Sequence, residues 1–197
     1  DMRKGISGIL ASFLACTTIS FSPAFASVQT LYVKSDYLGG YSRDSFKHWI
    51  DSDNDGCNTR YEVLIAEARR KPQIDGRCKL IGGSWISPYD AKRYVDFSKL
   101  DIDHLVPLAE AWRSGAWKWT PNERENFAND LDLPGALIAV TASLNRSKGD
   151  KDVANWMPNK KQCQYVKNWI QVKLKYELSV DLTEASFLKS KITECSI

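Results

Sequence analysis

Two segments near the middle of the chain carry the apolar patterns of β-strands. Residues 100–106 alternate apolar side chains with acids, and residues 137–141 are rich in branched apolar side chains. Both patterns are typical of strands. Pro107 ends the first segment, because proline has no backbone N–H to donate to a strand partner. A third strand-like segment covers residues 94–97.

Apolar residues recur at helical spacing on either side of these strands. The segments with this spacing are residues 61–70, 109–113, 121–131, 159–176 and a last helix from about residue 181 to Cys195. Ser143 lies where an N-cap is expected, ahead of a short helix at residues 145–148. Helices that surround a few strands predict an α+β fold.

Residues 1–26 are predicted to be a signal peptide. A basic start precedes the mostly apolar residues 6–21, and Ala24-Phe25-Ala26 has the small-x-small pattern of a cleavage site. Cleavage is expected after Ala26, which leaves residues 27–197 as a single exported domain. A lipidated Cys16 is a weaker interpretation, because the residues before it match the lipidation pattern poorly. No later segment is long enough to span a bilayer.

Four cysteines remain after the signal peptide is removed, an even number that fits an exported, disulfide-bonded protein. Four cysteines allow three connectivities. We favour the pairs Cys57–Cys78 and Cys163–Cys195, because each pair brackets one local unit of the chain. A zinc site is disfavoured, because no C-x-x-C motif occurs and the sequence has only two histidines. Of these, His48 is predicted to have a structural role.

The net charge of +3 is too mild to identify a binding partner. From residue 144 onward, however, ten Lys and Arg face six Asp and Glu, and lysines are interleaved with aromatic residues between Trp156 and Tyr176. This basic side could attract a polyanion. A solvated helix face with its aromatic residues in the core explains the same spacing equally well.

Residues 51–62 match the calcium-loop pattern D-x-D-x-D-G-x5-E at every specified position. The carboxylates at the ligand positions are those of Asp51, Asp53, Asp55 and Glu62. Gly56 permits the sharp turn that such a loop needs. A bound Ca²⁺ ion in a structural role is one interpretation. The favoured interpretation is an Asx-rich turn held by a disulfide without an ion, because a lone loop without a paired partner often matches this pattern.

Two motifs, one at the end of each central strand, resemble those of a known enzyme family. Asp103-His104-Leu105-Val106-Pro107 fits D-H-x-x-P, and Asn145-Arg146-Ser147-Lys148-Gly149-Asp150 fits N-R-x-K-x-D. With the strand between them, they resemble the HNH endonucleases of the ββα-metal (His-Me finger) fold, in a branch that includes small exported bacterial proteins. The motifs cover about residues 101–150. The resemblance implies a ββα-metal core at about residues 94–158, wrapped by helices.

The resemblance and the chemistry of the side chains assign the same roles. His104 is the candidate general base, since imidazole has a suitable pKa for activating water near neutral pH. Asp103 and Asn145 are candidate oxygen ligands for a hard divalent cation, with Mg²⁺ as the first choice and Mn²⁺ as the alternative. Arg146 and Lys148 are candidate phosphate-binding cations, and Lys148 is expected to approach the reacting group. Products with a 5′-phosphate and a 3′-hydroxyl are implied by the resemblance.

Further expectations concern the residues that surround the catalytic site. Asp101 and Glu110 are candidate outer positions around the metal ligands. The middle asparagine of the H-N-H pattern has no equivalent, since residues 133–136 read L-P-G-A. Another group, such as a backbone carbonyl, must then hold His104 in its reactive tautomer. The long segment 107–134 carries three tryptophans, which either stack on bases or pack onto the core.

The sequence therefore predicts a secreted, metal-dependent endonuclease. DNA is the expected substrate and RNA stays open, and no separate module for reading sequence is visible. Two alternatives remain at this point. One is a non-catalytic, calcium-stabilised extracellular binding module, and the other is a metal-dependent phosphodiesterase that acts on small or wall-linked phosphate esters. Plasmid cleavage with and without EDTA separates them.

Overall fold

The computed structural model describes residues 31–197, so the predicted signal peptide lies outside the described residues. The strands in this part of the chain are β1 (Gln73–Ile74), β2 (Leu80–Ile81), β3 (Trp85–Ile86), β4 (Arg93–Tyr94), β5 (Leu100–His104) and β6 (Leu137–Thr141). The α-helices are α1 (Thr59–Glu67), α2 (Leu108–Ser114), α3 (Pro121–Ala128), α4 (Ala142–Lys148), α5 (Gln162–Lys175) and α6 (Leu182–Cys195). Short 3₁₀ helices cover Arg43–Ser45, Phe97–Lys99 and Ala116–Lys118.

The central element of the fold is the antiparallel hairpin of β5 and β6. Asp101 pairs with Val140 and Asp103 with Ile138, so both acids lie on one face of the hairpin. The connection between the two strands carries α2 and α3, and α4 starts directly after β6 and packs on both strands. This arrangement of two strands and a helix agrees with the ββα core that the motifs imply, and the predicted α+β fold is confirmed.

Hydrophobic cores cover both faces of this hairpin. Leu100 and Ile102 of β5 pack with Leu64 of α1 in one core. Ile138 and Val140 of β6 pack in the other core, which also contains apolar residues of α5 and α6. Successive side chains of a strand point to opposite faces, and here both faces are covered by a core. The position of the hairpin is therefore fixed.

Both predicted disulfides are confirmed. Cys57–Cys78 joins the start of α1 to the turn before β2, and Cys163–Cys195 joins α5 to the end of α6. The bridged residues are 21 and 32 positions apart in the sequence. Closing loops of this length restricts the unfolded chain, which stabilises the fold by about 3 kcal/mol for each bridge.

Several element boundaries differ from the sequence prediction. Helix α1 begins at Thr59, because the Asn58 side chain accepts the N–H of Tyr61 and caps the first turn. The prediction of Ser143 as an N-cap is wrong, since α4 begins at Ala142 directly after β6. The strand predicted at residues 94–97 is also wrong, because Tyr94 ends β4 and a 3₁₀ helix follows it.

The aromatic residues of the basic C-terminal part belong to the core. Tyr165 and Trp169 of α5 are buried, and Lys173 on the same helix is buried in an ion pair. Of the tryptophans in the long connection, Trp119 packs beside the core, whereas Trp117 is half-buried and stacks on Tyr37. Among residues 31–197, no helix is long and apolar enough to cross a membrane.

Glu67, at the end of α1, makes stability depend on pH. Its carboxylate accepts a 2.8 Å hydrogen bond from the N–H of Ala139, on the edge of β6 that faces away from β5. Burial raises the pKa of Glu67 from 4.5 to about 7. The unfolded chain therefore loses this proton at a lower pH than the folded chain, so the contribution of this group to stability falls as pH rises from about 4.5 through 7.

We expect Glu67→Gln to gain stability relative to wild type as the pH rises. Glutamine can still accept the Ala139 hydrogen bond but does not ionise. The difference in unfolding free energy between variant and wild type should shift by about 2 kcal/mol between pH 5 and pH 8. Urea denaturation at both pH values measures it, with the exposed Glu194→Gln as control. A difference that is independent of pH would contradict a raised pKa.

Candidate active site

His104 is the last residue of β5 and is buried. Its Nε2 lies 2.9 Å from the carbonyl oxygen of Ala128 at the end of α3. Since a carbonyl oxygen can only accept, Nε2 carries the proton and the neutral ring keeps its lone pair on Nδ1. Burial lowers the pKa of His104 to about 3, so the imidazole is neutral near pH 7. A backbone carbonyl thus orients the ring where the sequence lacks the middle asparagine.

The ring of His104 is surrounded by residues from the N-terminal segment of the described chain. The Trp49 ring lies 5.3 Å from it, centroid to centroid, and the His48 ring 6.1 Å. His48 donates from Nδ1 to the carbonyl of Phe46 at 2.8 Å, and its Nε2 lies 3.4 Å from Nη2 of Arg43. Both histidines therefore lie next to each other, a placement that the sequence alone did not indicate.

Asp103 points to the other face of β5 and forms a buried ion pair. The Lys148 ammonium lies 2.8 and 2.6 Å from its two carboxylate oxygens and 2.9 Å from the carbonyl of His104. The Tyr89 hydroxyl also donates to this carboxylate. Lys148 is fully buried and Asp103 is 5% exposed. Burial raises the pKa of Asp103 and lowers that of Lys148, while the attraction within the pair opposes both shifts.

This geometry differs from the roles expected of these two residues. All three N–H groups of the Lys148 ammonium are directed at Asp103 and His104, so none is left for a phosphate. Lys148 as a phosphate-binding cation therefore does not fit the observed arrangement. Both oxygens of Asp103 already face a cation, so a divalent ion can reach this carboxylate only where the ammonium moves away.

Asn145 and Arg146 lie on α4 near the half-exposed Asp101. The Asn145 amide nitrogen is 3.5 Å from Oδ2 of Asp101, and Nε of Arg146 is 3.5 Å from the same oxygen. The Arg146 side chain is 76% exposed. Carboxylate and amide oxygens are the ligands that a hard divalent cation prefers. Asp101 offers a carboxylate and Asn145 an amide, and the two side chains are in contact. Asp101, expected at an outer position, is thus the more accessible acid of β5.

A cleft of about 200 Å³ joins several of these residues, although Asp101 and Lys148 are not part of its lining. It is lined by the predicted residues His104, Asp103, Asn145 and Arg146 and by two polar residues that sequence reasoning missed, Arg43 and Asp150. Asp150 lies at the last position of the N-R-x-K-x-D motif, which could have identified it. Arg43 belongs to no motif, so no local signal identified it.

Glu110 does not face the cleft, contrary to its expected outer position. It is buried and accepts from the ammonium of Lys173 at 2.6 Å and from the guanidinium of Arg113 at 2.7 Å. Glu184 of α6 also lies 3.4 Å from Lys173. Arg113 in turn donates to the backbone carbonyl of Asp150 at 2.7 Å. Glu110 therefore fixes α2, α5 and α6 to one another and, through Arg113, holds the chain after α4.

The four acids of the calcium-loop pattern lie near each other. Oxygens of Asp51, Asp53 and Asp55 lie within 4.8 Å of one another, and Glu62 is within the same distance of Asp55. Gly56 has φ +94° and donates to Asp51 at 3.0 Å. The pKa of Glu62 is raised, first by partial burial and then by the negative charges of the neighbouring aspartates. The loop thus brings the three aspartates together and places Glu62 beside Asp55, but it does not gather all four acids into one group.

Comparison with known proteins places this site in a family. Residues 59–188 match the family described as GmrSD restriction endonucleases, C-terminal domain. A protein of Arthroderma benhamiae described as an uncharacterized secreted protein is 47% identical over 158 residues, which cover 79% of this chain and 76% of that protein. No solved structure matches the chain. Because the match covers more than half of the sequence and contains both motifs, the chain belongs to the family of GmrSD restriction endonuclease C-terminal domains, a nuclease family of the HNH type.

Proposed function

We propose that the protein is a secreted, metal-dependent endonuclease that hydrolyses phosphodiester bonds of DNA with little sequence preference. The observation that carries the proposal is the imidazole of His104, whose Nε2 is bound to the Ala128 carbonyl beside a cleft lined by Asn145 and Arg146. Membership of a nuclease family supports the same reaction.

His104 acts as the general base in this reaction. With Nε2 bound to Ala128, the Nδ1 lone pair accepts a proton from the water that attacks the phosphorus atom. The lowered pKa keeps the ring neutral near pH 7, and it also makes the buried ring a weaker base than free imidazole. The Trp49 ring beside the imidazole limits its contact with bulk water, so the ring keeps its orientation.

Asn145 and Asp103 would hold the divalent cation, with Asp101 within reach of the same amide. The side chains offer oxygen donors, which suit Mg²⁺ first and Mn²⁺ as the alternative. Asp103 joins this set only where Lys148 leaves its carboxylate. When bound, such an ion stabilises negative charge that develops on the phosphate and on the leaving oxygen.

Arg146 binds the phosphate backbone of the substrate. Its guanidinium is largely exposed, and its contact with Asp101 is long, so it can turn toward a phosphate. A guanidinium matches two phosphate oxygens with parallel hydrogen bonds. Contacts to phosphates carry no sequence information, which fits an enzyme with little sequence preference.

Incubation of the purified protein with supercoiled plasmid tests the proposal. We expect nicked and linear DNA in Mg²⁺ or Mn²⁺ and intact plasmid in EDTA. An RNA substrate of similar length shows whether RNA is also cut. Intact plasmid with every divalent metal would show that the proposal is wrong. Turnover of a small aryl phosphodiester alone would instead favour a phosphodiesterase.

Export is part of this proposal. The relative from Arthroderma benhamiae is described as secreted, and two disulfides are typical of an oxidising compartment. We propose cleavage of the signal peptide after Ala26. N-terminal sequencing of the protein collected from culture medium should begin at Ser27, and another first residue would correct the cleavage site.

The loop at residues 51–62 binds Ca²⁺ in a structural role, separate from the catalytic ion. At a concentration 100 times the Kd, bound Ca²⁺ stabilises the folded state by about 2.7 kcal/mol. For a domain of this size that corresponds to a rise in Tm of about 5–10 °C. Differential scanning calorimetry in CaCl2 and in EDTA measures the shift.

The double variant Asp51→Asn with Asp53→Asn should abolish this rise in Tm, because it removes two of the charged oxygen ligands. Asp132→Asn, at another exposed acid, is the matched control and should keep the rise. An equal Tm in CaCl2 and in EDTA for the wild-type protein would favour the ion-free turn.

A further inference from the structure

The residues that precede the family match are packed against the site. The match starts at residue 59, whereas the described chain starts at residue 31. Asn129, at the end of α3, binds this N-terminal segment. Its side chain accepts from the N–H of Ile50 at 3.2 Å and donates to the carbonyl of Lys47 at 2.9 Å. Arg124 of α3 donates to the carbonyl of Ser45 at 3.0 Å. Helix α3 thus fixes the backbone of residues 45–50.

The same end of α3 supplies the carbonyl that orients the catalytic imidazole. Ala128, which bonds to His104, is the neighbour of Asn129, which bonds to the N-terminal segment. The position of residues 45–50 relative to His104 is therefore set by two adjacent residues. Trp49 lies against the imidazole as a consequence.

This packing places the guanidinium of Arg43 at the cleft. Arg43 lines the cleft together with Asn145 and Arg146. Its guanidinium lies 3.4 Å from Nε2 of His48 and also interacts with the Tyr41 hydroxyl, and neither partner is an acid. Among residues 31–197, no carboxylate lies within ion-pair distance of Arg43. Its positive charge therefore remains available to an anionic ligand.

We propose that Arg43 is a second phosphate-binding residue of the cleft, which contacts the DNA backbone together with Arg146. The inference rests on the proposed nuclease function and adds a residue that lies outside the family match. A guanidinium without an acidic partner is suited to bind phosphate oxygens in a fork geometry. With the Lys148 ammonium fully buried at Asp103, Arg43 and Arg146 are the two cations that line the cleft.

Binding of a fluorescein-labelled 20-base-pair duplex tests the inference, measured by fluorescence anisotropy in a His104→Ala background that prevents cleavage. We expect Arg43→Ala to raise the Kd about 5–20-fold and to lower the slope of log Kd against log salt by about one, as for the loss of one phosphate contact. Arg43→Lys should keep the slope and lose only part of the affinity, because a lysine retains the charge without the fork.

Lys47→Ala is the matched control for charge. Lys47 lies in the same segment, its side chain is 71% exposed, and its ion pair is with Glu125 on the surface rather than in the cleft. It should leave Kd and salt slope near the parent values. An Arg43→Ala variant with a parent-like Tm, Kd and salt slope would overturn the inference, even where the wild-type enzyme cleaves plasmid.

The same experiment separates this inference from the proposed function. If wild-type protein cleaves plasmid and Arg43→Ala cleaves with the same KM, the nuclease assignment stands and the role of Arg43 is refuted. If the wild-type protein neither binds the duplex nor cleaves plasmid, the proposed function fails and the inference fails with it.

Discussion

Replacing His104 by glutamine is expected to lower the rate of plasmid cleavage by about 10²–10⁴-fold, the usual contribution of a general base. The side-chain amide of glutamine can still donate to the Ala128 carbonyl, which His104 contacts through Nε2. The variant lacks a nitrogen that can take a proton from water. It should therefore remain folded but inactive. The fraction of nicked plasmid against time, in Mg²⁺, measures the rate.

His48→Ala is the control for this variant. The two rings are 6.1 Å apart, and His48 is held by the carbonyl of Phe46 rather than that of Ala128. It should keep most of the activity. If His104→Gln cleaves as fast as wild type with an unchanged Tm, another group must be the base. Equal loss in both variants would point to a shared role of the two histidines.

Replacing Lys148 by methionine is expected to destabilise the fold by about 3–5 kcal/mol. The change would leave the carboxylate of Asp103 buried without its cation, at 5% exposure and with only Tyr89 as a side-chain partner. A lower stability of this size corresponds to a fall in Tm of about 10 °C or more. Urea denaturation followed by tryptophan fluorescence gives the unfolding free energy.

The double variant Lys148→Met with Asp103→Asn distinguishes a lost pair from lost packing. Because the asparagine is neutral, the second change removes the unpaired buried charge, and stability should recover in part. Lys151→Met, at an exposed lysine three residues after Lys148 and beyond the end of α4, is the control and should change stability little. If Lys148→Met unfolds at the same urea concentration as wild type, the pair does not support the fold.

Much of the fold could be predicted because its signals are local. The strand patterns at residues 100–106 and 137–141, together with the two motifs, indicated the hairpin and the helix after it. The disulfide pairs followed from the rule that each brackets one unit of chain. The boundaries of helices were less predictable, since a cap such as Asn58 starts α1 two residues earlier than the apolar pattern indicates.

The role of Lys148 could not be predicted from its motif alone. The spacing N-R-x-K places Asn145 and Lys148 three residues apart, on one side of a helix, and Arg146 on another. That spacing could have indicated that the lysine faces β5 and the arginine faces solvent. It does not state how deep the ammonium lies, which depends on the packing of α4 over Asp103 and Tyr89.

The position of the N-terminal segment was beyond sequence reasoning for a different reason. Arg43 and His48 lie in a segment whose regular structure is limited to the short 3₁₀ helix Arg43–Ser45. Their positions depend on bonds to Asn129, about 80 residues further along the chain. Contacts of this separation leave no trace in a single sequence.

The Cys163–Cys195 bridge has a consequence for the cell that makes the protein. It ties α5 to α6, the two helices that supply Lys173 and Glu184 to the buried ion-pair cluster around Glu110. Thiols stay unpaired in a reducing cytosol, so under the proposed export this tie would form only once the chain has left that compartment. Before that step the packing of α5 against α6 would lack the constraint and be less stable.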